Sequence, residues 1–268
     1  NAVMNGVTIL LETAFADFIM EGKRIIGIKT NRGDLLSRWV INSAGLYSDE
    51  VMHKAGIRPE FKITPRKGEY FIFDRAEITI DNVLFPVPSA KGKGILVTTT
   101  LHENTIIGPN ANEIEDKEDT STTKEGLDEV AAGALKLVPS LNLRYSIANF
   151  AGIRPTGNAP CKTPGINYKS DFIIEIPDEV EGFVNLGGIE SPGLTSAPAI
   201  AAEVVDMLRD AGEKLVEKKE WDPIRPARPR FRNMSHKDRQ LLVNMDPRYG
   251  QVICRCENIT EGEIIAES

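Results

Sequence analysis

The sequence predicts an α+β fold, and three observations carry that expectation. Between Ile57 and Ile107 the short runs "GEYFIFD", "VLFPV", "GILVTTTL" and "TIIGP" are separated by Pro, Gly, Asp and Asn, the pattern of a mostly antiparallel sheet. Two later segments switch to helical spacing, on Leu127, Val130, Ala131, Ala134, Leu135 and Val138, and on Ile200, Val204, Met207 and Leu208. Between the sheet-like and helical patterns, "NLGGIESPGLTSAPAIAAEVV" (Asn185–Val205) passes from an apolar strand through glycines into an Ala-rich helix.

Taken in order, Gly6–Leu11 reads as a short buried strand, and Arg24–Ile41 as a hairpin turning at Asn31-Arg32-Gly33-Asp34. Asn42–Ile57 holds a glycine-bearing turn and then a short helix on Leu46, Val51 and Ala55. Glu113–Asp119 is an acidic loop. Thr122 and Glu125 form a capping box for a helix that Pro139 closes. Tyr145–Gly157, "DFIIEI" and "FVNLGG" are strands. The last helix is expected to use Thr195 or Ser196 as its cap, a left-handed Gly193 before it and Pro198 in its first turn. From Trp221 the chain becomes Pro- and Arg-rich, reading as an extended linker, and "GQVICRCENITEGEIIAES" starts a further unit.

The bulk properties set limits. With 268 residues, 41% apolar and 26% charged, the chain can bury a core in one large or two smaller domains. A formal charge of −7 argues against a general nucleic-acid binder, whereas a small anionic substrate needs only local positive charge. No apolar run approaches the roughly 20 residues that span a bilayer. No secretory pattern opens the chain, and "NAVMNGVTILLETAF" reads as starting in mid-domain, as in a piece of a longer protein. Three sparse cysteines imply no disulfide framework, so a reducing cytoplasm is expected.

Several residues carry candidate chemistry. Gly187 and Gly188 permit close backbone approach just before a helix start, whose free N–H groups and positive dipole end suit an electron-rich group. An ordinary strand–loop–helix connection explains them equally well. Arg66 and Lys67 precede the "GEYF" strand, as pocket cations or as a solvated strand entry. Tyr70 either orients a substrate or packs in a half-buried sheet. His102 follows "ILVTTTL" and titrates in the range useful to a base, although a polar loop histidine with no chemical role has the same signature. Cys254 and Cys256 stand at i and i+2, which in extended chain turns both thiolates toward one metal; iron–sulfur and zinc centres usually take four ligands. The basic run Arg225–Arg239 suits an acidic membrane surface, a partner subunit or a solvated tether.

"NSAGLYSDE", "AGIRPTG" and "GGIESPGLTSAPAIAAEVV", in this order, resemble the FAD-dependent oxidoreductases that include D-amino acid oxidase and glycerol-3-phosphate dehydrogenase. "TPRKGEYFIFD" and "IIGPNA" narrow the resemblance to anaerobic-type glycerol-3-phosphate dehydrogenases and L-2-hydroxyglutarate oxidases; it covers about Asn1–Gly212. The resemblance implies FAD, with Ala44, Gly45 and Ser48 near its diphosphate or adenosine. It places Gly188, Ile189, Gly193, Leu194 and Thr195 against the isoalloxazine. Arg154 matches the arginine that holds the substrate's anionic group; a surface or interdomain ion-pair arginine is the alternative.

The resemblance departs from the family at one point. The G-x-G-x-x-G turn that cradles the FAD pyrophosphate does not occur in these residues, and Gly92-Lys93-Gly94 lacks the third glycine. The piece is therefore expected not to retain FAD by itself. "VICRCENITEGEI" resembles the opening of a bacterioferritin-associated-ferredoxin-like [2Fe-2S] domain, with two of its cysteines expected beyond Ser268. The expected organisation is a partial FAD-binding domain at 1–56 and 149–212, a substrate domain at 57–148, a linker at 213–250 and a truncated cluster domain at 251–268. The expected reaction is oxidation of sn-glycerol 3-phosphate to dihydroxyacetone phosphate by hydride transfer to flavin. Electrons would then pass to a [2Fe-2S] centre and an electron-accepting subunit, in the cytoplasm or at the inner face of the cell membrane. Oxidation of L-2-hydroxyglutarate, or a docking module without activity, are the alternatives.

Overall fold

A computed structural model describes residues 1–76, 78, 80–87, 94–101, 103–159, 171–225, 230–255 and 257–267. Val3–Asn5 form a 3-10 turn, and the strand expected over Gly6–Leu11 is absent: Val7, Ile9 and Leu10 are exposed and enter no ladder among the described residues. The first sheet begins later. β1 (Phe15–Glu21) pairs antiparallel with β2 (Arg24–Thr30), and β3 (Gly33–Leu36) joins β2 with Thr30 opposite Gly33. The Asn31-Arg32 turn is the one read from the sequence. β1 is not, because Asp17 and Glu21 interrupt its apolar pattern and only Phe18 is buried.

The outer strand of that hairpin stops at Leu36, and β4 (Val40–Asn42) belongs to a different sheet. A 3-10 turn at Gly45–Tyr47 leads into α1 (Ser48–Lys54). Phe18, Ile25, Met52, Ile57, Phe61 and Phe183 form the core between the first sheet and α1.

The antiparallel sheet centres on β5 (Ile63–Phe73). β6 (Leu96–Thr99) pairs with β7 (Thr105–Gly108), and β7 and β8 (Asn112–Glu113) share one edge of β5. "VLFPV" makes only a single bridge, Leu84 to Val97; Pro86 has no N–H to extend a ladder. α2 (Lys124–Leu137) crosses the sheet and buries Val130 and Ala134 against Phe73, Val97 and Ile107. β9 (Ser146–Gly157) covers the other edge of β5 along its whole length.

The capping box at the start of α2 is displaced by one residue. Thr123, not Thr122, is the cap, and its Oγ1 accepts from Gly126 N at 3.0 Å. The carboxylate comes from β5 instead of the helix: Glu69 Oε1 accepts from Thr123 N at 2.5 Å and from Thr123 Oγ1 at 3.1 Å. Asn110 Nδ2 donates to Glu69 Oε2 at 2.8 Å, so this fully buried carboxylate is satisfied within the protein.

The third sheet combines distant segments. β10 (Ile173–Glu175) pairs antiparallel with β11 (Phe183–Gly187), and β11 pairs parallel with β4, which forms the sheet edge. α3 (Gly193–Asp210) returns over it, seating Ile200, Val204 and Leu208 on Val184. Its entry differs from expectation. Pro192 holds the cap position, the Thr195 hydroxyl donates to Pro192 O at 2.9 Å, and Pro198 lies beyond the first turn. The left-handed residue is Gly188, at φ 63°, not Gly193.

The Pro- and Arg-rich segment is not extended throughout. Ser235 caps α4 (His236–Met245) by accepting from Asp238 N, and short 3-10 turns flank that helix. A small hairpin, β12 (Val252–Cys254) with β13 (Ile259–Thr260), and α5 (Glu261–Glu267) complete the tail.

Candidate active site

The antiparallel register of β5 and β9 builds one face in three rows. Arg66 stands opposite Arg154, Gly68 opposite Gly152, and Tyr70 opposite Phe150. Residues two apart on a strand share a face, so cations, bare backbone and aromatics follow one another in that order. The Tyr70 and Phe150 rings stack with centroids 4.8 Å apart at 8°.

Arg154 reaches across β5 over Gly68, and its Nη2 donates to Asn110 O at 2.8 Å. A Cβ on Gly68 would stand 3.3 Å from that Nη2 and 2.8 Å from Pro109 Cβ, so the crossing needs glycine there. Arg66 Nε is buried with no hydrogen-bond partner among the described residues. Burial lowers the Arg154 pKa; Tyr70 raises it, Arg66 lowers it further and Glu190 raises it. A guanidinium still keeps its charge at neutral pH. Burial raises the Tyr70 pKa against the pull of Arg154.

Lys67 does not join this group. As the neighbour of Arg66 it faces the other side of the strand, where its buried Nζ donates to Asp119 Oδ2 at 2.9 Å and to Ser121 O at 3.1 Å. The expectation that it adds charge to the same pocket as Arg66 is therefore corrected. His102 lies outside the described residues.

A cleft of about 770 Å³ gathers Arg66, Arg154, Asn110, Glu190 and Ser191. Glu190 is held by Thr156, whose Oγ1 donates to Glu190 Oε2 at 2.8 Å. The sequence reading misses Glu190, Thr156 and Asn110. A signal existed for two of them: Glu190 lies inside the glycine-rich turn, and Thr156 is two residues beyond Arg154 on the same strand face.

A second site joins the two glycine-bearing turns. Asn42 and Asn185 are in register on the parallel pair β4 and β11, both buried, with Asn42 Nδ2 donating to Asn185 Oδ1 and to Ser48 O, each at 2.9 Å. Asn42 Oδ1 accepts from Ala44 N at 3.1 Å and so fixes the start of the first turn. At the second turn, Gly188 and Gly157 meet backbone to backbone: a Cβ on either would lie 3.2 Å from the other's Cα. An apolar groove of about 580 Å³ runs between β4, β11 and α3, and brings Gly45, Ile189 and Gly193 together. Leu194 and Thr195 sit exposed at the start of α3, outside the residues that line it.

These residues fit a dinucleotide with a polar head. Ser48 Oγ is buried without a partner among the described residues. No side chain caps α3, which leaves first-turn N–H groups for an outside acceptor. The groove beside the α3 start is apolar enough for a flat ring system. In the tail, Cys254 ends β12, while Cys256 lies outside the described residues.

The two turns, the arginine-bearing antiparallel sheet and the returning helix define a flavin-linked oxidoreductase. Residues 1–207 match the FAD dependent oxidoreductase family, and the chain belongs to it. Glycerol 3-phosphate dehydrogenase of Caloramator mitchellensis is 41% identical over 272 residues, covering 99% of this chain and 53% of that protein. Glycerol 3-phosphate oxidase of Mycoplasma pneumoniae is 36% identical over 185 residues, covering 68% of this chain and 45% of its own length. The solved structure of the dithionite-reduced L-alpha-glycerophosphate oxidase from that organism, with FAD bound, superposes with a TM-score of 0.66 at 33% identity, over 78% of this chain and 52% of that one. This chain thus spans about half the length of the relatives it matches.

Proposed function

We propose that this chain is the substrate-binding and flavin-facing part of an FAD-dependent dehydrogenase that oxidises sn-glycerol 3-phosphate to dihydroxyacetone phosphate. The observation that carries the reading is the Arg66–Arg154 pair on a cleft that also meets the Glu190-Ser191 turn. Two adjacent guanidiniums, each offering a fork of donors, suit the several oxygens of a phosphate, even with Glu190 offsetting part of their charge. The similarity to glycerol 3-phosphate enzymes supports the same substrate.

FAD, when bound, would supply a two-electron acceptor for the oxidation of the carbinol. Gly45, Ser48, Gly188, Ile189 and Gly193 would hold it, with the α3 N-terminus placing positive potential beside the ring. The remaining work falls to this chain's side chains. Arg154 and Arg66 bind and orient the phosphate, with the Tyr70–Phe150 stack two rows away on the same sheet face. Thr156 keeps the Glu190 carboxylate fixed beside the arginines, and His102 is the proposed proton acceptor for the substrate hydroxyl. In the tail, Cys254 and Cys256 are proposed as two of the four ligands that would hold a [2Fe-2S] centre, which would supply one-electron transfer. No helix among the described residues is long and apolar enough to cross a membrane. The Arg225–Arg239 segment is proposed as a contact for an acidic membrane surface or an electron-accepting subunit.

Steady-state turnover of the full-length, FAD-loaded protein with sn-glycerol 3-phosphate and with L-2-hydroxyglutarate tests the reading. Higher kcat/KM for the phosphate ester is expected; preference for the dicarboxylate overturns it.

A further inference from the structure

Most strand glycines of this protein have a visible steric reason. A Cβ on Gly27 would meet Leu35 O at 2.3 Å, on Gly68 Pro109 Cβ at 2.8 Å, and on Gly157 the Gly188 Cα at 3.2 Å. Gly152 is different. It lies in the middle of β9, its φ is not left-handed, and a Cβ there would have no described atom within 4 Å. Glycine in a strand interior costs backbone entropy and gives up packing, so it marks a place where another molecule or backbone comes close.

The rows on either side of Gly152 say what comes close. One row along, at about 6.8 Å on the strand repeat, is the Arg66–Arg154 pair; one row the other way is the Tyr70–Phe150 stack. A short anionic molecule held by the arginines lays its carbon chain over Gly152 and stops against the aromatic wall. Resting on the substrate reading above, we propose that Gly152 is a specificity-determining residue: its missing side chain is the seat of the substrate's carbon chain, and the seat's depth limits the substrate to short, unbranched anions.

The test uses the full-length, FAD-loaded protein carrying Gly152→Ala or Gly152→Val. Open space at the site predicts that both fold, with melting temperatures equal to or above the unsubstituted protein. The KM for sn-glycerol 3-phosphate should rise roughly tenfold or more in Gly152→Val and less in Gly152→Ala. Inhibition by inorganic phosphate, which needs only the arginines, should stay unchanged. An unchanged KM in both folded variants overturns the proposal, as does an equal loss of phosphate inhibition, which places the damage at the arginines. Should Gly152→Val fail to fold, the Ala variant decides by the same comparison. If the unsubstituted protein prefers L-2-hydroxyglutarate, the substrate reading fails by itself. The KM for that dicarboxylate then decides whether Gly152 is the seat.

Discussion

Arg66 and Arg154 stand directly opposite each other on neighbouring antiparallel strands, yet among the described residues only Arg154 is tied down, through its bond to Asn110 O. Two cations held side by side repel, and a fold keeps such a pair where an anion relieves the repulsion. The two arginines should therefore respond differently to removal. Arg66→Met deletes no hydrogen bond among the described residues and relieves like-charge repulsion, so the melting temperature should hold or rise. Loss of a charged hydrogen bond to substrate should lower kcat/KM by about 1.5–3 kcal/mol, roughly 10- to 150-fold. Arg154→Met should lose both activity and stability. A stable Arg66→Met protein with undiminished kcat/KM would remove Arg66 from the site.

Gly126→Ala should destabilise the protein, against what helix propensity alone says. In an isolated helix the change gains about 1 kcal/mol. Here the added Cβ would lie 1.5 Å from Glu69 Oε2, and the carboxylate that satisfies Thr123 would have to leave. Overpacking of this kind costs about 1–3 kcal/mol. Urea unfolding followed by circular dichroism reads the sign directly, and a midpoint shifted upward would contradict the account.

The Glu69 arrangement shows where the sequence stops being legible. A threonine followed three residues later by glutamate announces a helix start near residue 122, and a helix is there. The carboxylate that completes the cap lies 54 residues away on β5, and local spacing carries no sign of it. The site divides in the same way. The places of Arg154 and Gly188 were readable because each sits in a motif or at a strand–helix junction, whereas the α3 entry was not: Pro192 holds the cap position expected for Thr195 or Ser196, and Gly188, not Gly193, is left-handed. Lys67 was misplaced because two adjacent cations look alike until strand alternation and the half-exposed Asp119 that holds Lys67 separate them. Gly6–Leu11 failed because a short apolar run becomes a strand only through its pairing, and this one enters no ladder among the described residues. The hairpin at Asn31-Arg32 succeeded because its partners are local.

Acid should weaken the loop that Asp119 anchors. Its carboxyl pKa falls from the usual 3.8 to about 2, first through the Ser121 hydroxyl and then through Lys67. A carboxylate whose pKa is lower in the folded state contributes stability fully above its unfolded value. That contribution is lost as pH falls from about 4 through about 2. Melting temperature followed between pH 5 and pH 2 should drop less steeply in Asp119→Asn than in the parent, even though the variant starts lower because Lys67 has lost its counter-charge. Parallel curves would mean that the Asp119–Lys67 pair does not titrate in this window.

The tail should hold its place through Glu257. Its Oε1 accepts from the Thr100 hydroxyl and from Asn104 Nδ2 at the tip of the β6–β7 hairpin, each at 3.4 Å. Its Oε2 and main-chain oxygen accept from Arg232 Nη1, both at 3.3 Å, within the tail itself. The Arg232 and Glu257 side chains retain only 14% and 18% of their exposure, so the pair is screened little by solvent. One carboxylate thus braces the tail internally and joins it to the sheet that carries the arginine face. Glu257→Ala removes the carboxylate from both connections and leaves Arg232 only the main-chain oxygen of residue 257; Glu257→Gln keeps an acceptor for the hairpin and loses the charge that faces Arg232. Amide hydrogen exchange over residues 230–255 should accelerate most in the alanine variant, less in the glutamine variant, and not at all in β5 and β9. Equal acceleration in all three regions would mean that the tail and the sheet open as one unit, and no acceleration anywhere would show that Glu257 does not hold the junction.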